Sequence, residues 1–345
     1  MIRAAIVGLG GWGRRLVASV QEDGQPRGSE IYFTHAAVRS PARAQPYANR
    51  QRLQLASYEA CLADPNVDAV VLATPHSLHP GQVCAAAGAG KHVFVEKPLA
   101  LTLAEAQSAI AACAAAGRVL ALGHNRRFLP AFRALRDLLR AGELGTILHA
   151  EALFAGAFGL AYTPDAWRAG DADAPAGGLT AMGIHSLDAL IDGLGPVEEV
   201  TAQSMRRAVA IPMDDTTSAM LRFRSGPSGH VATLMATAWT WQLRVFGVRG
   251  YAVMPDETSL QIVERSGVSR HVAFPVLDTE RAELEAFARA VRGDEAYPVP
   301  LDEVAHGVAV LEATIASIRS GGVRMTVQAR APSCRETRCA DRQTA

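Results

Sequence analysis

An α/β fold is predicted for this chain of 345 residues. A doubly wound parallel sheet comes first, followed by an α+β domain built on an open, mostly antiparallel sheet. Three observations predict it. The first 125 residues alternate short β-branched runs with alanine-rich amphipathic segments, the pattern of βαβ units. Residues 197–273 carry strand-like runs with no helix between them. A glycine-rich loop separates the first strand from the first helix.

Ile2–Val7 reads as the first strand and Gly11–Val20 as the first helix. A loose turn at Asp23–Pro26 precedes a second strand, Ile31–Val38. Ala69–Thr74 is a continuous apolar run after the Pro65-Asn66 turn, which predicts a strand buried on both faces. A helix over Leu78–Ala89 stops at Gly88 and Gly90, and His92–Val95 is a strand. Leu103–Ala116 is a helix between an N-cap at Thr102 and a stop at Gly117. Val119–Leu122 closes the unit, so a nucleotide-binding domain is expected over residues 1–125.

The pattern then changes. Helix Leu129–Ala141 and strand Ile147–Phe154 lead into Gly156–Gly178, rich in Gly, Pro and Asp; a loop of that length is usually functional. Leu179–Ile191 reads as a helix. Strands follow at Val197–Ser204, Ser218–Phe223, His230–Trp241, Arg244–Val248, Tyr251–Met254, Leu260–Val263 and Ser269–Phe274, then helices at Glu280–Val291 and Leu301–Ile318. This second domain is expected over residues 126–328, and a polar, disordered tail over 329–345.

Formal net charge is zero, so nothing points to nucleic acid or an anionic membrane as partner. No run of about 18 apolar residues or signal peptide is read, and cytoplasm is the expected location. Five cysteines without a C-x-x-C pair suggest reduced thiols, and no metal-ligand cluster is evident. Of 34 basic residues only Lys91 and Lys97 are lysines, so each lysine calls for a chemical reason.

Gly8, Gly10 and Gly13 fit G-x-G-x-x-G, with Gly11 and Trp12 between them. The glycines allow a tight turn, close approach of backbone to a pyrophosphate, and close packing of helix on strand. The helix N-terminus then faces the phosphates. Between a strand and a helix this is the Rossmann dinucleotide fingerprint. An acidic residue after the second strand would read the ribose of NAD; the chain has Arg39-Ser40 there. Arg39 and Ser40 suit a 2′-phosphate, which favours NADP over NAD.

Glu96-Lys97-Pro98 ends an apolar strand, where an open α/β sheet forms its ligand crevice. Adjacent strand residues face opposite ways, which disfavours a simple Glu96–Lys97 surface pair. A partly buried lysine there has the chemistry to take a proton from a substrate hydroxyl.

The strand–GLGGWG–helix, Ala73-Thr74-Pro75-His76-Ser77-Leu78-His79, Gly90-to-Leu99 with its Glu-Lys-Pro, Asn125-Arg126-Arg127-Phe128, Trp167-Arg168, Gly177-Gly178 and Gly183-Ile184-His185-Ser186-Leu187-Asp188 together resemble the Gfo/Idh/MocA oxidoreductase family. The resemblance implies NAD(P)-dependent hydride transfer between nicotinamide and a secondary alcohol or ketone of a sugar, cyclic polyol or cis-dihydrodiol. It implies Lys97 and His185 as the catalytic pair, with Arg126 beside them at the substrate. It extends the cofactor contacts to Thr74, His76, His79, Glu96, Lys97, Asn125, Trp167 and Arg168, and implies a homodimer or homotetramer joined through the second domain's sheet. His76 and His79 are equally well read as loop packing and helix capping. Arg127 is read as structural. Trp239 and Trp241, two apart on one expected strand, share a face and line either pocket or core. The family's usual pattern has an aspartate four residues before the histidine, where this chain has Ala181. A catalytically inactive cofactor-binding regulator of the same family, or a Rossmann methyltransferase, is the alternative class.

Overall fold

The computed structural model describes residues 1–164, 166–170 and 172–328. The expected tail, with Cys334 and Cys339, lies outside them. The chain begins β1 Ile2–Val7, α1 Gly11–Val20, a small hairpin of β2 Gln21–Glu22 and β3 Gln25–Pro26, then β4 Ile31–Ala37. Helix α2 Pro41–Arg50, strand β5 Gln54–Ala56 and helix α3 Tyr58–Ala63 follow, the first two unforeseen. Next come β6 Ala69–Leu72, α4 His79–Gly88, β7 His92–Val95, α5 Leu103–Ala115 and β8 Leu120–Leu122. Thr102 caps α5 by accepting from the Glu105 N–H.

These strands form one sheet in the order β5-β4-β1-β6-β7-β8, parallel throughout. Its order reverses between β1 and β6, and such a switch point opens a ligand crevice at the strands' C-terminal ends. The expected apolar run at Ala69 is the buried strand at that point: all four residues of β6 are buried.

After helix α6 Pro130–Arg140, strand β9 Ile147–Ala155 enters a second sheet. The long loop carries two short helical turns, Phe158–Ala161 and Trp167–Ala169. The expected helix at Leu179 starts as a π-helical turn, Leu179–Gly183, before α7 Ile184–Leu194. Strands β10 Val197–Met205, β11 Thr216–Phe223, β12 Ser228–Leu234, β13 Thr240–Gly247, β14 Gly250–Asp256, β15 Ser259–Glu264 and β16 Ser269–Ala273 lead to α8 Thr279–Arg292, α9 Leu301–Arg319 and β17 Met325–Thr326.

The second sheet runs β16-β15-β14-β13-β9-β12-β11-β10-β17, and only the β9–β12 pair is parallel. The single strand expected over His230–Trp241 is two strands. β9 lies between β12 and β13, so residues 235–239 must cross it. Trp239 is therefore exposed at the crossover while Trp241 is fully buried, and the two do not share a face.

Helix α8 returns to the first sheet. Leu284, Phe287 and Ala288 join a core with Ile6, Leu16, Val71 and Phe94. Burying a side chain of the Leu or Phe type contributes roughly 1.5–3 kcal/mol. Helix α9 spans both sheets: Val304 and Val308 pack under the first, Val310, Leu311 and Ile315 under the second. No helix among the described residues is long and apolar enough to cross a membrane.

A buried ion network joins the two halves. Arg127, in the turn after β8, donates to both carboxylate oxygens of Asp188 on α7 at 2.8 and 2.7 Å. It also meets Glu303 on α9 at 2.7 Å and Asp192 at 3.7 Å. Removing one partner of such a network leaves carboxylates buried and uncompensated. Arg127→Met is expected to lower unfolding free energy in urea by about 3–5 kcal/mol. A loss below about 1 kcal/mol would mean that solvent reaches these charges and that the network does not join the halves.

Candidate active site

The crevice at the switch point is built by the loops after β1, β6, β7 and β8. Gly8 has a φ of +96°, and a Cβ there would stand 2.6 Å from the Ala73 carbonyl oxygen. A Cβ on Gly13 would run into the Gly8 carbonyl. Both positions therefore require glycine, as the fingerprint demands of its turn and of its helix–strand contact. Gly10 and Gly11 differ: no heavy atom lies within 4 Å of where their Cβ would be. Open space over backbone N–H groups at the start of a helix fits a pyrophosphate. Trp12 lies just inside α1, its indole N–H buried beside the Glu96 carboxylate.

At the end of β4, Arg39 and Ser40 are exposed, and Ser40 precedes α2 without a side-chain capping bond. After β6, the Thr74 hydroxyl donates to Gln82 at 2.6 Å. His76 is buried, with Nδ1 2.7 Å from the Asp173 carbonyl oxygen, and its ring meets Trp167 edge-on at 4.9 Å. The Arg168 guanidinium lies 4.0 Å from the Trp167 ring centre. The long loop thus folds over the β6 turn, and the Ser77 N–H donates to Asp173. His79 is fully buried, with its two ring nitrogens 2.8 and 3.1 Å from the carbonyls of Pro98 and Thr74. Its polar atoms are engaged by backbone, so it braces the two loops. Burial lowers it to about 4 against the pull of the two carbonyls, and the neutral ring donates its single N–H to only one of them.

The two lysines have different reasons. Lys91 donates to the carbonyls of Asp64 and Val67, both at 2.7 Å, and ties a loop to the start of β7. Lys97 Nζ donates at 2.6 Å to the carbonyl of Ala181, inside the π-helical turn. Such turns recur at functional sites. By surface area Lys97 is only partly buried, yet enough protein surrounds its ammonium to lower it to about 8, with Glu96 opposing the shift. Arg168 and Arg126 push in the same direction as burial. Lys97 and Pro98 are joined by a cis peptide bond.

His185 stands four residues after Ala181. It is buried, its Nδ1 has no partner, and burial and Lys97 keep it well below its ordinary value. Its ring lies 6.2 Å from Phe154 and 5.7 Å from His124. Arg126 reaches the same aromatic wall, its guanidinium 4.5 Å from the Phe154 ring and 5.2 Å from Trp241. Lys97, His185 and Arg126 therefore converge. Asn125 is drawn elsewhere: its amide donates to Thr279 and Glu280, both at 3.2 Å, at the start of α8.

Glu257, Glu280 and Glu283 went unnoticed in the sequence, whereas Glu96 was expected there as a cofactor contact. Glu96 is buried with an unpartnered oxygen, and burial raises its carboxyl against the pull of Lys97. Glu283 on α8 is wholly buried with both oxygens unpartnered, and burial beside Glu96 and Glu280 raises it strongly. Glu280 pairs with Arg15 at 2.9 Å. Glu257 pairs with Arg126. Glu280 and Glu283 had a signal: they fall on the apolar stripe of α8 with Leu284 and Phe287, where a carboxylate is out of place.

The chain is similar to known proteins. Residues 2–124 match the Gfo/Idh/MocA group described as "Oxidoreductase family, NAD-binding Rossmann fold", and residues 132–253 match its C-terminal domain. The chain is 31% identical over 226 residues to trans-1,2-dihydrobenzene-1,2-diol dehydrogenase of Mus musculus, covering 65% of this chain and 66% of that one, just under two thirds of the relative's length. It is 30% identical to D-xylose 1-dehydrogenase (NADP(+)) 2 of Haloferax volcanii, covering 85% of this chain and 91% of the relative. A solved aldose-aldose oxidoreductase from Caulobacter crescentus, complexed with glycerol, superposes with a TM-score of 0.81 at 25% identity, over 94% of this chain and 99% of that one. The chain belongs to the Gfo/Idh/MocA oxidoreductase family.

Proposed function

We propose that this protein is an NADP-preferring dehydrogenase or reductase of secondary alcohols, acting on a sugar, cyclic polyol or diol. The observation that carries the reading is Lys97. It is one of two lysines, its ammonium is lowered towards neutrality, and it lies beside His185 at the crevice end of the nucleotide-binding sheet. The curated relatives named above are dehydrogenases of a diol and of a sugar. Arg39 and Ser40 support NADP: both are exposed beyond β4, and no described residue pairs with Arg39.

The open backbone at Gly10 and Gly11 fits the cofactor's pyrophosphate, and Trp167 with Arg168 closes the opposite side of the crevice. When bound, the nicotinamide accepts or supplies the hydride. Oxidation also releases the hydroxyl proton, and the neutral amine of Lys97 accepts it at Nζ. In reduction the Lys97 ammonium returns that proton to the forming alkoxide. The Ala181 carbonyl fixes Nζ in place for either direction. His185, held neutral, orients the substrate oxygen through one ring nitrogen. Phe154 and the long loop limit water access. Two copies pairing through the outward face of the second sheet, where Arg244, Glu151 and Met220 project, is our reading of the oligomer.

Lys97 must lose its proton before it acts as a base. With its ammonium lowered to about 8, kcat/KM for alcohol oxidation is expected to rise with pH and level off above that value, while reduction falls over the same range. Lys97→Met is expected to remove turnover and leave quenching of NADPH fluorescence intact. Unaltered turnover in that variant would reject Lys97 as the proton acceptor. For the cofactor, Arg39→Ala should weaken NADPH about tenfold or more, the worth of a charge-assisted contact, and leave NADH unchanged. Equal loss for both cofactors would argue against a 2′-phosphate contact.

A further inference from the structure

The β14–β15 turn places one carboxylate over the aromatic wall of the site. Asp256 ties that turn down, accepting from the Thr258 N–H at 2.8 Å, the Thr258 hydroxyl at 3.0 Å and the Ser259 hydroxyl at 2.9 Å. Its neighbour Glu257 then reaches inward, and its Oε1 meets Arg126 Nη2 at 2.9 Å. The Arg126 side chain is 12% exposed and that of Glu257 33%. Arg126 is otherwise held by the rings of Phe154 and Trp241 and by a 3.3 Å bond to Asn125 Oδ1. Its Nε–H is buried and has no partner. Phe154 touches both Arg126 and His185, so this pair sits one side chain from the proposed reaction centre.

We propose that Glu257 is a specificity-determining residue: it occupies the charge of Arg126 and so selects uncharged, hydroxyl-bearing substrates over those carrying a carboxylate next to the reacting carbon. The proposal rests on the dehydrogenase reading above and deepens it. A buried guanidinium without a counter-ion would capture carboxylates by paired N–H···O bonds. Glu257 competes with any such ligand from a tether, at a high effective concentration. An entering carboxylate would also meet a second negative charge at close range. A neutral hydroxyl meets neither penalty. Discrimination by a built-in repulsive group is a common route to specificity.

The test uses matched acid and amide pairs: glucuronate with glucuronamide, lactate with lactamide, mandelate with mandelamide. Binding is read by quenching of bound NADPH fluorescence, which needs no turnover, and kcat/KM is measured in parallel. Wild type is expected to favour the amide in the pairs it binds. Glu257→Gln keeps the size of the side chain on a turn, and is expected to raise acid affinity about tenfold or more while leaving the amide unchanged. Adding Arg126→Gln should return the acid to its wild-type affinity. An acid preferred by wild type, an acid-to-amide ratio unmoved by Glu257→Gln, or no binding of any pair to either protein overturns the proposal. Binding without turnover of any neutral polyol or diol would instead overturn the dehydrogenase reading and leave the binding ratios to decide on Glu257.

Discussion

The guanidinium of Arg127 ties the turn after β8 to α7 and α9. It is buried between Asp188 of α7 and Glu303 of α9, and it grows from the same turn that carries Asn125 and Arg126. A bidentate pair fixes direction as well as distance. Asp188 lies one helical turn beyond His185, so the pair sets the rotation of α7 and with it the depth at which His185 enters the site. The same clamp sets the π-helical turn ahead of α7, whose Ala181 carbonyl receives Lys97. The β8 turn thus positions both proposed catalytic side chains although it holds neither.

Around that frame the charges are arranged in opposition. Arg168 and Arg126 lie close enough to Lys97 to depress it, Glu96 and Glu283 oppose them, and Glu257 pairs with Arg126. Burial raises Glu96 and Glu283 together, and two adjoining buried carboxyls cannot both ionise at low cost. The depressed ammonium follows from burial first, with Glu96 opposing it and Arg168 and Arg126 adding to it.

The parallel half was legible because its strands are buried on both faces and read as unbroken apolar runs, Ala69–Leu72 above all. Helix α2 was not, since Pro46 and a run of polar residues interrupt its apolar stripe. The break between β12 and β13 was hidden for the opposite reason: Val231–Trp241 is apolar almost throughout, and only the interposition of β9 forces the chain to leave the sheet. In the site, Lys97 and His185 stood out because each belongs to a short local motif. Glu257 carries no such mark. Its meaning arises when a turn more than 100 residues away in sequence is folded against Arg126.

Position 181 shows how a missing side chain is answered by backbone. A carboxylate there would have offered the site an anion next to His185. With alanine, the acceptor that Lys97 Nζ meets on this turn is the main-chain carbonyl, at 2.6 Å. A carbonyl accepts a hydrogen bond without carrying a full charge, so it orients the lysine while holding its proton less tightly than a carboxylate would. The exchange keeps the geometry of the proton acceptor and leaves its affinity for the proton to burial. Alanine at this position also leaves the surroundings of His185 without a neighbouring carboxylate, so the charges nearest that ring belong to Lys97 and Arg126, both of which hold its proton off.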